Sequence, residues 1–345
     1  MKKVSAIIVN WNGKDVLSVC LKSLLEQDYE NLEIIVVDNG SEDGSQTLVK
    51  EEFPSIKLIE NKKNLGFGSA VNRGLDKAKG DYFIFLNNDL ALKSDCIRQL
   101  ATLLGSDSSI GAAIPKILYY SEHDQDSSNE MARINSYGVL VNYTGIACPN
   151  LIDQPDHIDL PLTESACGGI FMFSRVVYEK VGGFDEDLFL YHEDNDLSWR
   201  IRMMGWRLVV TSNSVCCHRY NFNKGVLKFY RSEKNRLHIL LKNFECKTLW
   251  LIFPALILVE ISQIVYSIFN GWFRLKIKSY FEIAAQGIQI TRKRRKIQSS
   301  RTVPDSEIIK LYKDTIKVTG LNNPLVDYLL NPMLKLYWAC IRIWI

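Results

Sequence analysis

The feature that most constrains this chain is an alternation near its start. Short runs rich in Val, Ile and Phe at residues 4–9, 32–37, 56–59 and 82–86 are separated by segments with helical spacing. Between the first two runs, Val16, Leu17, Cys20, Leu21, Leu24 and Leu25 recur at i, i+3, i+4 and i+7, giving a helix that begins near Asp15 one apolar face. Comparable helices are expected over 45–52 and 69–79. Strand and helix in regular alternation give a parallel sheet with right-handed crossovers and helices on both faces. The runs are continuously apolar rather than alternating, as strands buried on both faces are.

In such a sheet, ligands bind beyond the carboxyl ends of the strands. The polar residues expected there are Asn10 and Asn12, then Asp38-Asn39-Gly40, then Asn87-Asn88-Asp89. Any one Asp at a strand end serves equally well as a helix N-cap. Three polar strand ends on one edge point to a site.

Residues 119–165 are polar and irregular and read as a surface loop, with Ser121-Glu122-His123-Asp124 opening its least core-like stretch. A second dense patch follows. It contains Gly182-Gly183-Phe184-Asp185-Glu186 and Tyr191-His192-Glu193-Asp194-Asn195-Asp196, just before a helix-like segment at 197–204. Part of that acidity suits a helix N-terminus, and Asp196 in particular reads as a cap.

At 345 residues and 47% hydrophobic, the chain is larger than one ordinary core requires, and disordered or collagen-like classes are excluded. The net charge of +3 hides an asymmetry: from Lys242 onward there are 16 basic and 7 acidic residues, net +9, leaving −6 for residues 1–241. Residues 248–270 carry one charge, Glu260, over a length that could cross a bilayer, where about 20 apolar residues suffice. The block Arg292-Lys293-Arg294-Arg295-Lys296 and an aromatic-bearing end at 334–345 add to this, and together they suit an anionic lipid surface. The segment reads equally as spanning or as lying flat. Nucleic acid is an unsuitable partner, because the block is short and lacks interleaved aromatics. Eight irregularly spaced cysteines read as reduced core residues, and the first apolar run is too short for a signal peptide. A body on the cytoplasmic face of the membrane is therefore expected.

Six pieces of the sequence, taken in order, resemble glycosyltransferase family 2 and, within it, the rhamnosyltransferase-like branch. They are Ile8-Val9-Asn10-Trp11-Asn12, Val36-Val37-Asp38-Asn39-Gly40-Ser41, Asn64-Leu65-Gly66-Phe67-Gly68 with Asn72 and Gly74, Leu86-Asn87-Asn88-Asp89, Gly182-Gly183-Phe184-Asp185, and Glu193-Asp194-Asn195-Asp196-Leu197. The resemblance implies a GT-A fold: a Rossmann-like, mostly parallel sheet flanked by helices. Residues 1–243 would form that domain, with 1–118 as the nucleotide-sugar half and 119–243 as the acceptor and catalytic half. Residues 244–345 would form a helical, basic, membrane-associated extension. It also implies an inverting transfer of a sugar from a nucleotide diphosphate, dTDP-rhamnose or a UDP-sugar, to a hydroxyl of a cell-surface glycan or lipid-linked acceptor.

By the same resemblance, Asn10, Asn12, Asp38, Asn64, Asn88 and Asp89 would hold the donor. Asp185 would contact the acceptor, and Asp194 would be the base, with Glu193 as its rival. A divalent cation, Mg²⁺ or Mn²⁺, would sit on Asp89 and His218, where hard oxygen ligands neutralise a departing diphosphate. Asn87 stands where the family's metal motif has its first acid. That departure leaves open a second reading, a member that binds nucleotide or glycan at the membrane without turnover. Gly66 and Gly68 are expected to admit the donor or to make a tight turn, and Lys228, Arg231, Lys234 and Arg236 to hold diphosphate or form a solvated helix face.

Overall fold

A computed structural model describes residues 1–120, 132–156, 159–219, 225–317 and 324–345. The first half follows the alternation: β1 (Val4–Asn10), α1 (Lys14–Leu25), β2 (Leu32–Asp38), α2 (Ser45–Glu52), β3 (Lys57–Glu60), α3 (Phe67–Leu75) and β4 (Tyr82–Asn87). Next come β5 (Leu90–Leu92), α4 (Cys96–Ser106), β6 (Ile110–Tyr119) and the short strands β7 (Ile134–Ser136), β8 (Val139–Val141), β9 (Ala147–Pro149), β10 (Thr163–Glu164) and β11 (Met172–Ser174). The second half continues with α5 (Arg175–Val181), α6 (Glu193–Met203), β12 (Arg207–His218) and α7 (Gly225–Asn243). Helices α8 (Cys246–Phe269), α9 (Phe273–Ala285), α10 (Gly287–Ser300), α11 (Asp305–Ile308) and α12 (Asn331–Ile341) close the chain.

The main sheet runs β10-β12-β6-β11-β4-β1-β2-β3. Strands β3, β2, β1 and β4 are mutually parallel, as are β6 and β12. Strand β11 lies antiparallel between β4 and β6 and joins the two parallel groups. The sheet is thus mostly parallel, as expected, and the antiparallel β11 is the element that three residues of pattern do not announce. The 119–165 region is likewise more ordered than its polarity suggests: β7 pairs with β6, and β8 pairs with β9. The polar stretch at 121–129 lies outside the described residues.

The chain leaves β1 toward β2 and β3, then returns to place β4 on the other side of β1. The β1/β4 junction is therefore the switch point where such sheets open a crevice. Alternate residues of each strand feed opposite layers. Ala6 and Ile8 pack with Leu17, Leu21 and Leu100, whereas Ile7 and Val9 pack with Val71, Phe85 and Leu197. A third apolar cluster joins Trp199, Ile239 and Phe244 to Ile252, Val259, Tyr312 and Trp338, so the last hundred residues share a core with α6 and α7. Of the eight cysteines expected in the core, Cys20, Cys96, Cys167, Cys216 and Cys217 are buried there, whereas Cys148 is half-buried and Cys246 and Cys340 are exposed.

Candidate active site

The polar strand tips form one hydrogen-bonded chain across the switch point. Asn10 Nδ2 donates to Asp38 Oδ2 at 2.9 Å, and Asn88 Nδ2 donates to Asn10 Oδ1 at 2.7 Å. Asp38 is buried, and its Oδ1 also accepts from the Ser41 amide at 2.9 Å and from Gln46 Nε2 at 2.8 Å. The carboxylate thus organises the turn after β2. Asn12 accepts from the Glu42 amide, which ties the turn after β1 to the same structure. Asn64 accepts from Asn39 Nδ2 at 2.9 Å, placing the turn before α3 on the same edge.

Beyond β4, Asp89 Oδ1 lies 3.2 Å from His218 Nε2. Strand pairing creates the contact, because β5 aligns Leu90 with His218 in β12. Asp89 Oδ1 is buried and accepts no hydrogen bond among the described residues. A carboxylate oxygen and an imidazole nitrogen meeting in this way suit a divalent cation. Asp185, Asp187 and His238 offer a second group of ligand atoms within 4.8 Å of one another. Lys242 and Lys293 already pair with Asp185, and Lys293 lies 2.6 Å from Asp187, so a cation could enter there only by displacing an ammonium.

The acidic patch divides in two. Asp196 is fully buried inside α6 and receives Arg200 Nε at 2.9 Å, Asn243 Nδ2 at 2.9 Å and Lys242 Nζ at 2.7 Å. It is an ion-pair centre and not a helix cap. Burial opposes ionisation of Asp185 and Asp196, but Lys242 beside both holds their carboxyls below the usual range. Asp185, the expected acceptor contact, spends both oxygens on lysines. Glu193 and Asp194 make no ion pair among the described residues. Burial, reinforced by the neighbouring Asp194, pushes the Glu193 carboxyl up to about 8. Burial pushes Asp194 up to about 6. Glu193 is buried and its Oε2 has no hydrogen-bond partner, whereas Asp194 keeps partial exposure.

The turn before this pair is bent sharply. Phe189, Tyr191 and His192 have φ of 55°, 73° and 66°, in the left-handed region that non-glycine residues rarely adopt. It persists because Asn235 of α7 donates to the carbonyls of Leu188, Leu190 and Tyr191 at 2.6, 2.9 and 2.7 Å. Sequence reading missed Asn235, since nothing near it in the chain marks its partners.

Register links the acidic pair to the strand tips. Strand β11 runs antiparallel to β4 with Met172 opposite Ile84, so the preceding Gly168 and Gly169 head toward the carboxyl end of β4. A Cβ placed on Gly169 would lie 3.7 Å from Asp194 Oδ2. Gly66 and Gly68 turn out to serve the fold. A Cβ on Gly66, at φ 88°, would come within 2.5 Å of the Phe189 carbonyl, and one on Gly68 within 2.9 Å of Phe184 Cβ. Their glycines admit the acidic loop rather than a ligand. The basic run is corrected too: Arg236 is buried against Glu233 and Glu260, and Arg231 stands 4.5 Å above the Phe189 ring. A cavity of about 430 Å³ lies elsewhere, between Tyr137, Cys148 and Glu164 on one side and Lys313 on the other.

A Rossmann-like sheet with polar tips at its switch point and an acid-rich turn beside them is a GT-A-like arrangement. The chain belongs to glycosyl transferase family 2, whose sequence profile matches residues 5–182. It is 30% identical over 213 residues to an uncharacterised glycosyltransferase of Rickettsia typhi, covering 56% of this chain and 57% of that one. It is 31% identical over 110 residues to the cholesterol galactosyltransferase of Borreliella burgdorferi, covering 31% and 30%. The chain thus matches little more than half the length of the first relative. In structure it resembles GalNAc-T7 with UDP, GalNAc and Mn²⁺, at a TM-score of 0.59 and 16% identity, over 81% of this chain and 55% of that one. At that identity the likeness concerns the fold alone.

Proposed function

We propose that the chain transfers a hexosyl group from a nucleotide diphosphate sugar, dTDP-rhamnose or a UDP-sugar, to a hydroxyl of a glycan or lipid-linked acceptor at a membrane, with inversion. One observation carries the reading. Glu193 and Asp194 make no ion pair among the described residues and follow the Phe189 turn that packs on Gly66 beside the Asn64 tip, while Asp185 and Asp196 are neutralised by lysine and arginine.

Asn10, Asn12, Asp38, Asn64 and Asn88 line the donor side, within the half formed by residues 1–118. Residues 119–243 supply the acceptor side. Asp89 and His218 would hold a divalent cation, Mg²⁺ or Mn²⁺, which would offset the charge of the diphosphate. Asp194, the more exposed of its pair, takes the proton of the acceptor hydroxyl. The acceptor oxygen bonds to the anomeric carbon as that carbon's bond to the diphosphate oxygen breaks, and nucleoside diphosphate leaves. A group of raised pKa suits this, because a base poised near the working pH transfers protons best. Glu193, neutral at pH 7, lets Asp194 ionise without a second negative charge beside it. Asp185, tied to Lys242 and Lys293, orders the turn that leads through Phe189 to Glu193 and Asp194. Residues 244–345 attach the enzyme to an anionic membrane, and the sterol named for the Borreliella relative is in keeping with a membrane-held acceptor.

The test incubates the purified protein with Mn²⁺ and a panel of nucleotide sugars and measures nucleoside diphosphate release with and without acceptor lipid. Release by the wild type and its loss in Asp194→Asn support the reading. No release with any donor, with both proteins still binding nucleotide, selects the non-catalytic alternative.

A further inference from the structure

The last hundred residues carry most of the exposed large apolar side chains. Among the described residues, 17 of the 27 such side chains fall at or after Trp250. On α8 they are Trp250, Phe253, Ile257, Ile261, Val265, Ile268 and Phe269, the first six spaced three or four apart, so they form one stripe along the helix. The opposite side, including Ile252, Ala255 and Val259, belongs to the protein core. Helix α12 lies against α8, with Tyr337 Oη donating to the Leu251 carbonyl at 2.7 Å, and exposes Met333 and Leu336, with Ile343 and Trp344 just beyond. Helix α9 exposes Phe273 and Phe281.

Glu260 decides how α8 can sit. It accepts from Tyr280 Oη at 2.5 Å, lies 2.8 Å from Lys276 Nζ of α9, and pairs with Arg236 of α7. Glu233 completes the cluster, 2.9 Å from Arg236 and 2.7 Å from Lys276. Two acids and two bases thereby fix the fifteenth residue of a 24-residue helix to α7. Were α8 to cross a bilayer, that residue would lie near its centre and would draw α7 in with it. Asn235, adjacent to Arg236, holds the turn before Glu193, and Lys242 on the same helix holds Asp185 and Asp196. The active site would then enter hydrocarbon, where its charges are costly.

We infer that α8 lies flat in the interface of an anionic bilayer, with the exposed stripes of α9 and α12 beside it, and does not cross. This deepens the membrane attachment proposed above and rests on that reading. Exposed cations flank the stripes: Lys247 three residues before Trp250, Arg274 next to Phe273, Lys335 next to Leu336 and Arg342 next to Ile343. Anionic headgroups complement that charge. A second copy of the same face would set cation against cation, so lipid is the better occupant. The block at 292–296 splits: Lys293 and Arg294 turn inward to Asp185 and to the Leu241 carbonyl, while Arg292, Arg295 and Lys296 stay exposed.

Two measurements test this on the full chain. The first is sedimentation with vesicles of phosphatidylcholine and phosphatidylglycerol at 7:3, against phosphatidylcholine alone. At least tenfold tighter binding to the anionic vesicles is expected, weakened by salt, and lost at least tenfold in Phe253→Ser/Ile257→Ser/Ile261→Ser with an unchanged melting temperature. Equal binding by the triple variant, or dimers in solution with no vesicle binding, overturns the proposal.

The second is sidedness. In a Cys340→Ser background, Cys246 at one end of α8 and Phe269→Cys at the other are labelled with an impermeant maleimide in intact spheroplasts and in inverted vesicles. Both ends reacting from the same side supports the flat placement, and one end from each side overturns it. Nucleoside diphosphate release in detergent reads the transfer reaction separately. Vesicle binding without release leaves the docking face standing, and release without vesicle binding removes only that face.

Discussion

Within twelve residues the chain sets two kinds of buried acid side by side. Asp185 and Asp196 share Lys242, with Lys293 and Arg200 adding further positive charge, and they are ionised as part of the structure. Glu193 and Asp194 have no such partners, and burial raises both, so that Glu193 holds its proton to about 8 and Asp194 to about 6. The difference teaches that acidity in a motif does not itself mark chemistry. What marks it is a carboxylate that the fold has buried and then declined to neutralise.

The comparison breaks most directly at Asp194. Asp194→Asn is expected to slow transfer about 10³-fold, within the usual range for a general base, with nucleotide affinity unchanged by calorimetry. An equal loss in Asp185→Asn would erase the distinction between the pairs. Lys242→Met attacks the other side. It removes the cation that both buried carboxylates share, leaving Asp185 with Lys293 and Asp196 with Arg200, and should lower unfolding stability by about 3 kcal/mol in denaturant titrations.

The two pairs also respond to pH in opposite senses. Glu193 and Asp194 bind more protons folded than unfolded between about pH 4 and pH 8, so their contribution to stability falls as pH rises through that window. Asp185 and Asp196, whose carboxyls are lowered, stabilise at every pH above the ordinary carboxylate range, and that share is lost only as pH falls through their lowered values. Activity should rise with pH with an apparent midpoint near 6 in the wild type, and the midpoint should stay there in Glu193→Gln, because Glu193 still holds its proton when Asp194 ionises; initial rates against pH measure both. A midpoint that falls in Glu193→Gln would show that Glu193 carries charge beside Asp194 in the wild type.

Smaller effects sharpen the picture. Lys293→Ala removes a cation that is about one-third exposed, and Lys242 remains, so a loss of about 1 kcal/mol or less is expected. Asn87→Asp supplies the second acid of a metal motif beside Asp89. It should tighten Mn²⁺ binding severalfold by calorimetry, since a carboxylate is a stronger hard-cation ligand than an amide.

Much of the parallel half was legible because its signals are local. The spacing of Leu17, Leu21 and Leu24 and the apolar run of β1 depend on neighbours a few residues away, and each appears where its pattern predicts. The α3 helix starts and ends earlier than its pattern, at Phe67 and Leu75, because the turn at Gly66 is set by contact with Phe189. The antiparallel insertion of β11 left no readable trace in three residues.

The sequence alone carried the alternation that makes the sheet, and with it the edge where Asn10, Asp38 and Asp89 had to stand. Tertiary structure alone decided which acids keep their partners. Lys293 reaches Asp185 across 108 residues and Lys242 reaches it across 57, and Glu260 finds Arg236 across 24. Charge compensation acts through space over a few ångströms, so while Arg200 beside Asp196 falls within one helical turn, the lysines that complete the pairing lie in no short window with their acids.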